Sequence, residues 1–94
     1  MDLDKLVHQP TRLRMFAYLY RHGESTFGDV ADELDLTEGN LSSHPGRMED
    51  AGAVEIHKEF VDRRPRTTVA LTDEGEALFE EHVRALQGLI DDLD

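Results

Sequence analysis

The sequence predicts a mainly α chain with one small β-hairpin, and three observations carry that reading. Apolar residues recur at helical spacing from the N-terminus to about residue 51. The period then shortens to two across VEIHKEFV and TTVAL. Beyond Thr72 it lengthens again, with apolar positions stepping by four and three to the C-terminal end. Ninety-four residues make a single domain, 1–94, with a modest core and no room for a second domain around an enclosed site.

Each element has its own signature. Leu3, Leu6 and Val7 predict a short leading helix over Asp2 to His8. Pro10 suits the first turn of a second helix, where its missing N–H costs little. Leu13, Phe16, Ala17 and Tyr20 are its expected buried stripe, and Gly23 its stop. Thr26 then caps a helix burying Phe27, Val30, Ala31 and Leu34. After a tight turn at Asp35 and Leu36, Thr37 caps the next helix, with Glu38 in its favourable first turn.

Two short helices joined by so brief a turn make a helix-turn-helix, over about residues 26–51. The second helix is expected to send Leu41, Met48 and Ala51 inward and to end at Gly52. Its opposite stripe, Asn40, Ser43, His44 and Arg47, is polar throughout. Those side chains suit base edges and phosphates: Arg forks onto guanine, Asn onto adenine, and Ser reaches either. Thr37 and Ser42 join them because the N-terminal residues of a recognition helix point into the groove.

The hairpin follows over about residues 53–71, with DRRPR read as its turn and Pro65 as a stiffener at the tip. Arg63, Arg64 and Arg66 lie within four positions of a chain whose net charge is −11. A hairpin tip kept soluble by charge could use acids, as this chain does nearly everywhere else, so the cluster reads as a phosphate or minor-groove contact, with Lys58 beside it. Residues 72–94 hold eight acids and one base, whereas the other 71 residues together carry a net charge of −4. Acid therefore gathers at one end and base at one spot. With only Lys5 and Lys58 among the lysines, this composition also fits a host living in high salt.

The closing helix, about residues 73–93, is capped by Thr72. Phe79, Val83, Leu86, Ile90 and Leu93 form a coiled-coil-like seam, with Leu78, Ala85 and Leu89 in a second row beside it. Such a helix can pack on its own domain and on another chain.

Other chemistries find little support. The five histidines have no metal-ligand spacing and no cysteine beside them, so neither a metal nor another cofactor is expected. DEGE complements a helix dipole at its N-terminus. Nothing assembles a nucleophile, a base and an oxyanion donor, so the chain reads as non-enzymatic. No apolar run approaches membrane-spanning length and no signal peptide is visible, so a cytoplasmic protein without membrane contact is expected.

In this order, the stretches PTRLRMFAYLY, TFGDVADELDLTEGNLSSH and RMEDAGAVEIHKEFVDRRPRTTVALTDEG resemble the small winged-helix transcriptional regulators of the MarR and ArsR-like groups. The likeness covers most of residues 9–80. It implies a winged helix-turn-helix with an N-terminal helix and a long C-terminal helix, bound as a homodimer to double-stranded DNA. One helix would enter the major groove, and the wing would lie over the backbone or minor groove. It further implies a dimer interface through terminal helices, here Leu3, Leu6, Phe79, Val83, Leu86, Ile90 and Leu93.

One departure stands out. Where such sequences carry a leucine and a polar helix former, this chain has Pro45 and Gly46. Interior proline costs about 3 kcal/mol and glycine about 1, so a kink or break is expected from Ser43 to Gly46, re-aiming Arg47. That feature and the net charge of −11 keep a second reading open, a winged helix that has lost DNA and binds another protein.

Overall fold

The computed structural model describes residues 4–93, so Leu3 lies outside the described residues. The elements run α1 (Lys5–His8), α2 (Pro10–His22), β1 (Ser25–Thr26), α3 (Phe27–Leu34), α4 (Glu38–Leu41), α5 (Ser43–Asp50), β2 (Val54–Val61), β3 (Arg64–Leu71) and α6 (Asp73–Asp91). Side-chain caps start most of the helices. Asp4 accepts from the Leu6 N–H, Thr26 from Asp29, Thr37 from Asn40 and Thr72 from Gly75.

The hydrophobic core is formed by Val7, Met15, Phe16, Leu19, Val30, Ala31, Leu34, Leu41, Met48, Ala53, Val54 and Val69. On α2 the buried face is Met15, Phe16 and Leu19, while Ala17 and Tyr20 are exposed. The expected stripe is thus rotated, because Tyr20 turns outward to donate a 2.7 Å hydrogen bond to Glu80 on α6. Ala51 is exposed as well, since α5 has already ended before it.

Both helix ends flanking the recognition region stop by the same device. At α5, Gly52 with φ 77° sends its N–H to Glu49, and the Ala53 N–H reaches back to Met48, which is the Schellman closure. At α3, Asp35 takes the left-handed position, with φ 56°.

Three antiparallel strands lie in the order β1-β3-β2. The two-residue strand β1, too short to show a period, pairs Ser25 with Val69 and Thr26 with Thr68. β2 and β3 pair without a bulge from Val54↔Leu71 to Val61↔Arg64. The turn is only Asp62-Arg63, both at positive φ, as a two-residue hairpin loop demands. Pro65 is therefore not at the tip; it sits in β3 opposite Phe60.

The hairpin base, the end of α5 and the start of α6 converge on a few backbone groups. Thr72 Oγ1 donates to the Gly52 carbonyl at 2.6 Å, and the Thr72 N–H reaches the Ala53 carbonyl at 3.0 Å. Gly75 lies directly over that carbonyl, so that a Cβ there would stand 1.9 Å from the Ala53 oxygen. Alanine normally gains about 1 kcal/mol over glycine in a helix. Here the overlap with backbone dominates, and Gly75→Ala should destabilise the domain by about 1–3 kcal/mol. Denaturant unfolding checks this; a stabilised variant would contradict it.

A second junction ties α1 to α6. His82 is 3% exposed, with Nε2 at 3.3 Å from His8 Nδ1 and no partner for its own Nδ1. Burial, then His8, lowers its pKa against a smaller opposing effect of Asp4. A folded pKa below the usual value of about 6.5 gives stability that is complete above that pH and declines as pH falls toward the folded pKa. His82→Leu should therefore show a smaller drop in melting temperature between pH 7.5 and 5.5 than the unaltered chain, measured by calorimetry.

Candidate nucleic-acid interface

The helix-turn-helix presents α4 and α5 as one recognition unit. The kink or break expected from Ser43 to Gly46 does not fall there: α5 runs helical through Pro45, and the interruption is at Ser42, ahead of that span. Ser42 keeps right-handed helical angles, φ −58° and ψ −28°, so the direction of the chain survives. The physical reason is placement. Pro45 lies in the first turn of α5, where its missing N–H costs little. Its ring is fully buried on the inward side with Leu41 and Met48.

The candidate residues do not form one uniform stripe. Thr37, Asn40, Ser42, Ser43 and Arg47 are exposed. Thr37 Oγ1 is engaged as the α4 cap, and the Ser42 hydroxyl donates back to the Gly39 carbonyl at 2.9 Å. Asn40, Ser43 and Arg47 are the exposed members of the predicted polar face. His44 is only half-exposed, because its Nδ1 lies 3.3 Å from Arg12 Nη1. Arginine only donates, so this nitrogen accepts and the imidazole is neutral, with Nε2–H left as its donor. Burial, followed by the charges of Arg12 and Arg47, lowers its pKa in keeping with that state.

Arg12 was not legible as part of this region. It donates through Nε to the Leu6 carbonyl at 2.7 Å and through Nη2 to Lys5 at 3.4 Å, so it also closes the end of α1. Nothing in the local pattern links residues 12 and 44. Only packing of α2 beside the recognition unit brings them together.

On the wing, alternation sorts the bases by face. Arg64 and Arg66 stand on one side of the ribbon, opposite Val61 and Glu59, whereas Lys58 shares the other side with Phe60, Pro65 and Thr67. Arg63 occupies the turn at φ 65°. All four bases are exposed. Arg64 and Arg66 thus line one face, with Arg63 in the turn beyond them.

The proposed dimer residues are similarly divided. Phe79 is drawn into its own domain, 6.2 Å from Phe16 and 5.1 Å from Tyr20 between ring centroids. Leu6 also packs on the core. Leu86 is half-buried, while Val83, Ile90 and Leu93 are exposed. Among the described residues no helix is long and apolar enough to cross a membrane.

A helix-turn-helix followed by a two-stranded wing and a closing helix defines the winged-helix class. The chain belongs to the winged helix DNA-binding domain family, whose model matches residues 11–90. An uncharacterised protein of Methanocaldococcus jannaschii is 29% identical over 79 residues, which span 84% of this chain and 86% of that one. A transcriptional regulator homologue from Pyrococcus horikoshii OT3 is similar in structure at TM-score 0.88 and 36% identity, covering 95% of this chain and 88% of its own. YusO of Bacillus subtilis shares the fold at TM-score 0.84 and 24% identity, with 95% of this chain matched to 62% of YusO. The solved neighbours include MarR-family transcriptional regulators.

Gly46 offers a direct probe of the recognition unit. It has ordinary helical geometry, and a Cβ there would meet nothing within 4 Å. Gly46→Ala should stabilise the domain by about 1 kcal/mol through helix propensity, opposite in sign to the same change at Gly75. Thermal unfolding of the two variants side by side provides the check.

Proposed function

We propose that the chain is a sequence-specific DNA-binding transcriptional regulator acting as a homodimer. In this reading, α4 and α5 enter the major groove and the wing holds the flanking backbone or minor groove. Asn40, Ser43 and Arg47 face base edges or phosphates, the neutral His44 supplies one N–H, and Thr37 and Ser42 lie at the groove entrance. Arg63, Arg64, Arg66 and Lys58 hold the flank. The dimer forms through α6 and the turn just past it, with Val83, Ile90 and Leu93 in its contact and Leu86 behind them.

The observation that carries this reading is the basic wing beside a helix-turn-helix of a DNA-binding family, on a chain otherwise rich in acid. The acidic α6 would point away from the phosphates. High salt would screen its self-repulsion, since the screening length falls to about 3 Å at 1 M. The same salt weakens phosphate contacts, so base contacts carry more of the binding. The net charge of −11 favours one rival, a winged helix that binds another protein and not DNA.

Gel shifts against genomic fragments, run at several salt concentrations, separate the two. A specific shift is expected; no shift at any salt, with a protein partner co-purifying, would overturn the DNA reading. The combined Arg63→Glu, Arg64→Glu and Arg66→Glu variant should bind DNA on the order of 100-fold more weakly and with a shallower salt dependence. Unchanged affinity would remove the wing from the interface.

A further inference from the structure

The outer half of the wing carries apolar side chains that folding does not use. β1 pairs with β3 only at Thr68 and Val69. Beyond that point the hairpin is a two-stranded ribbon of four residue pairs, from Lys58↔Thr67 to Val61↔Arg64, and about 12 Å long. Phe60 on this ribbon is 78% exposed and Val61 40%. Pro65, directly opposite Phe60, is exposed too.

Strand alternation puts Phe60 and Pro65 on one face and Val61 on the other. The face that carries Phe60 and Pro65 is left exposed, and the flanking charge selects its partner. From His57 to Arg66 the ribbon has four bases, Lys58, Arg63, Arg64 and Arg66, against the acids Glu59 and Asp62, the reverse of the chain as a whole.

We propose that Phe60 is a wedge that enters the minor groove beside the major-groove site and partly unstacks a base step, bending the duplex. The inference rests on the DNA-binding reading above and adds a role that charge alone does not supply. The minor groove is about 6 Å wide, so side chains from the ribbon enter it while its backbone stays outside. Apolar wedges such as phenylalanine unstack base steps there and bend DNA toward the major groove. Lys58 on the same face and Arg63 at the tip then meet the flanking phosphates, while Arg64 and Arg66 leave from the opposite face and reach them around the edge of the ribbon. Narrow A·T-rich tracts attract arginine, and flexible pyrimidine–purine steps bend most easily, so flanks combining the two are favoured.

The test uses a duplex recovered by the unaltered chain from a random-sequence pool, labelled at both ends for energy transfer and carrying 2-aminopurine in the flank. The full chain is compared with Phe60→Ala, Phe60→Leu and Arg63→Ala. Phe60→Ala should melt as the unaltered chain does, because the ring is exposed. It should bind about 10- to 100-fold more weakly, with the bend and the 2-aminopurine brightening lost. Its salt slope should be unchanged, whereas Arg63→Ala should lower that slope by about one unit. Phe60→Leu should retain most of the bend. If Phe60→Ala binds within about twofold of the unaltered chain and bends the duplex equally, the wedge is overturned while the DNA-binding reading stands. If the unaltered chain recovers no duplex at any salt, both fall together.

Discussion

The Thr72 hydroxyl is bonded in two directions at the point where the working parts of this domain meet. It donates to the Gly52 carbonyl at the end of α5 and accepts from the Gly75 N–H at the start of α6. One residue back, Leu71 closes the hairpin base against Val54. The recognition unit, the wing and the closing helix therefore share a single polar junction, with Gly75 seated against the Ala53 carbonyl to let it close. A wing that reaches a flank at a set distance from a helix in the groove needs such a fixed base. A loose one would spend contact energy on ordering the two parts against each other.

Charge follows the same architecture. The acids of α6 run along its length, and in its first turn Asp73, Glu74 and Glu76 complement the helix dipole. The wing's arginines stand on a ribbon with few acids of its own. A net charge of −11 is thus compatible with an anionic partner, because at working salt a phosphate senses charges within a screening length of about 8 Å or less. Distribution matters here more than total.

Much of the fold was legible because its signals are local. Three threonine caps, the Schellman stop at Gly52 and the change of period at Ala53 each depend on residues a few positions apart. What was not legible depends on distant neighbours. The strand β1 exists only because β3 passes beside Ser25 and Thr26. Tyr20 turns outward because Glu80 is there to accept its hydroxyl. Phe79 belongs to its own core because Phe16 and Tyr20 stack beside it, although a four-and-three repeat alone places it in a seam. Near Pro45 the helix is interrupted at Ser42 and not from Ser43 to Gly46, since a proline is tolerated in the first turn of the segment that follows it.

Element order, the capped helix-turn-helix, the basic hairpin and the acidic closing helix follow from local sequence alone, because spacing and capping are properties of short windows. Tertiary structure decided which polar residues remain free to meet a partner. It turned His44 toward Arg12, set Arg64 and Arg66 on the face of the wing opposite Phe60 and left Phe60 exposed at its outer end. Whether a side chain is buried, bonded or available depends on what packs beside it, and that neighbour can lie thirty or more residues away in the chain.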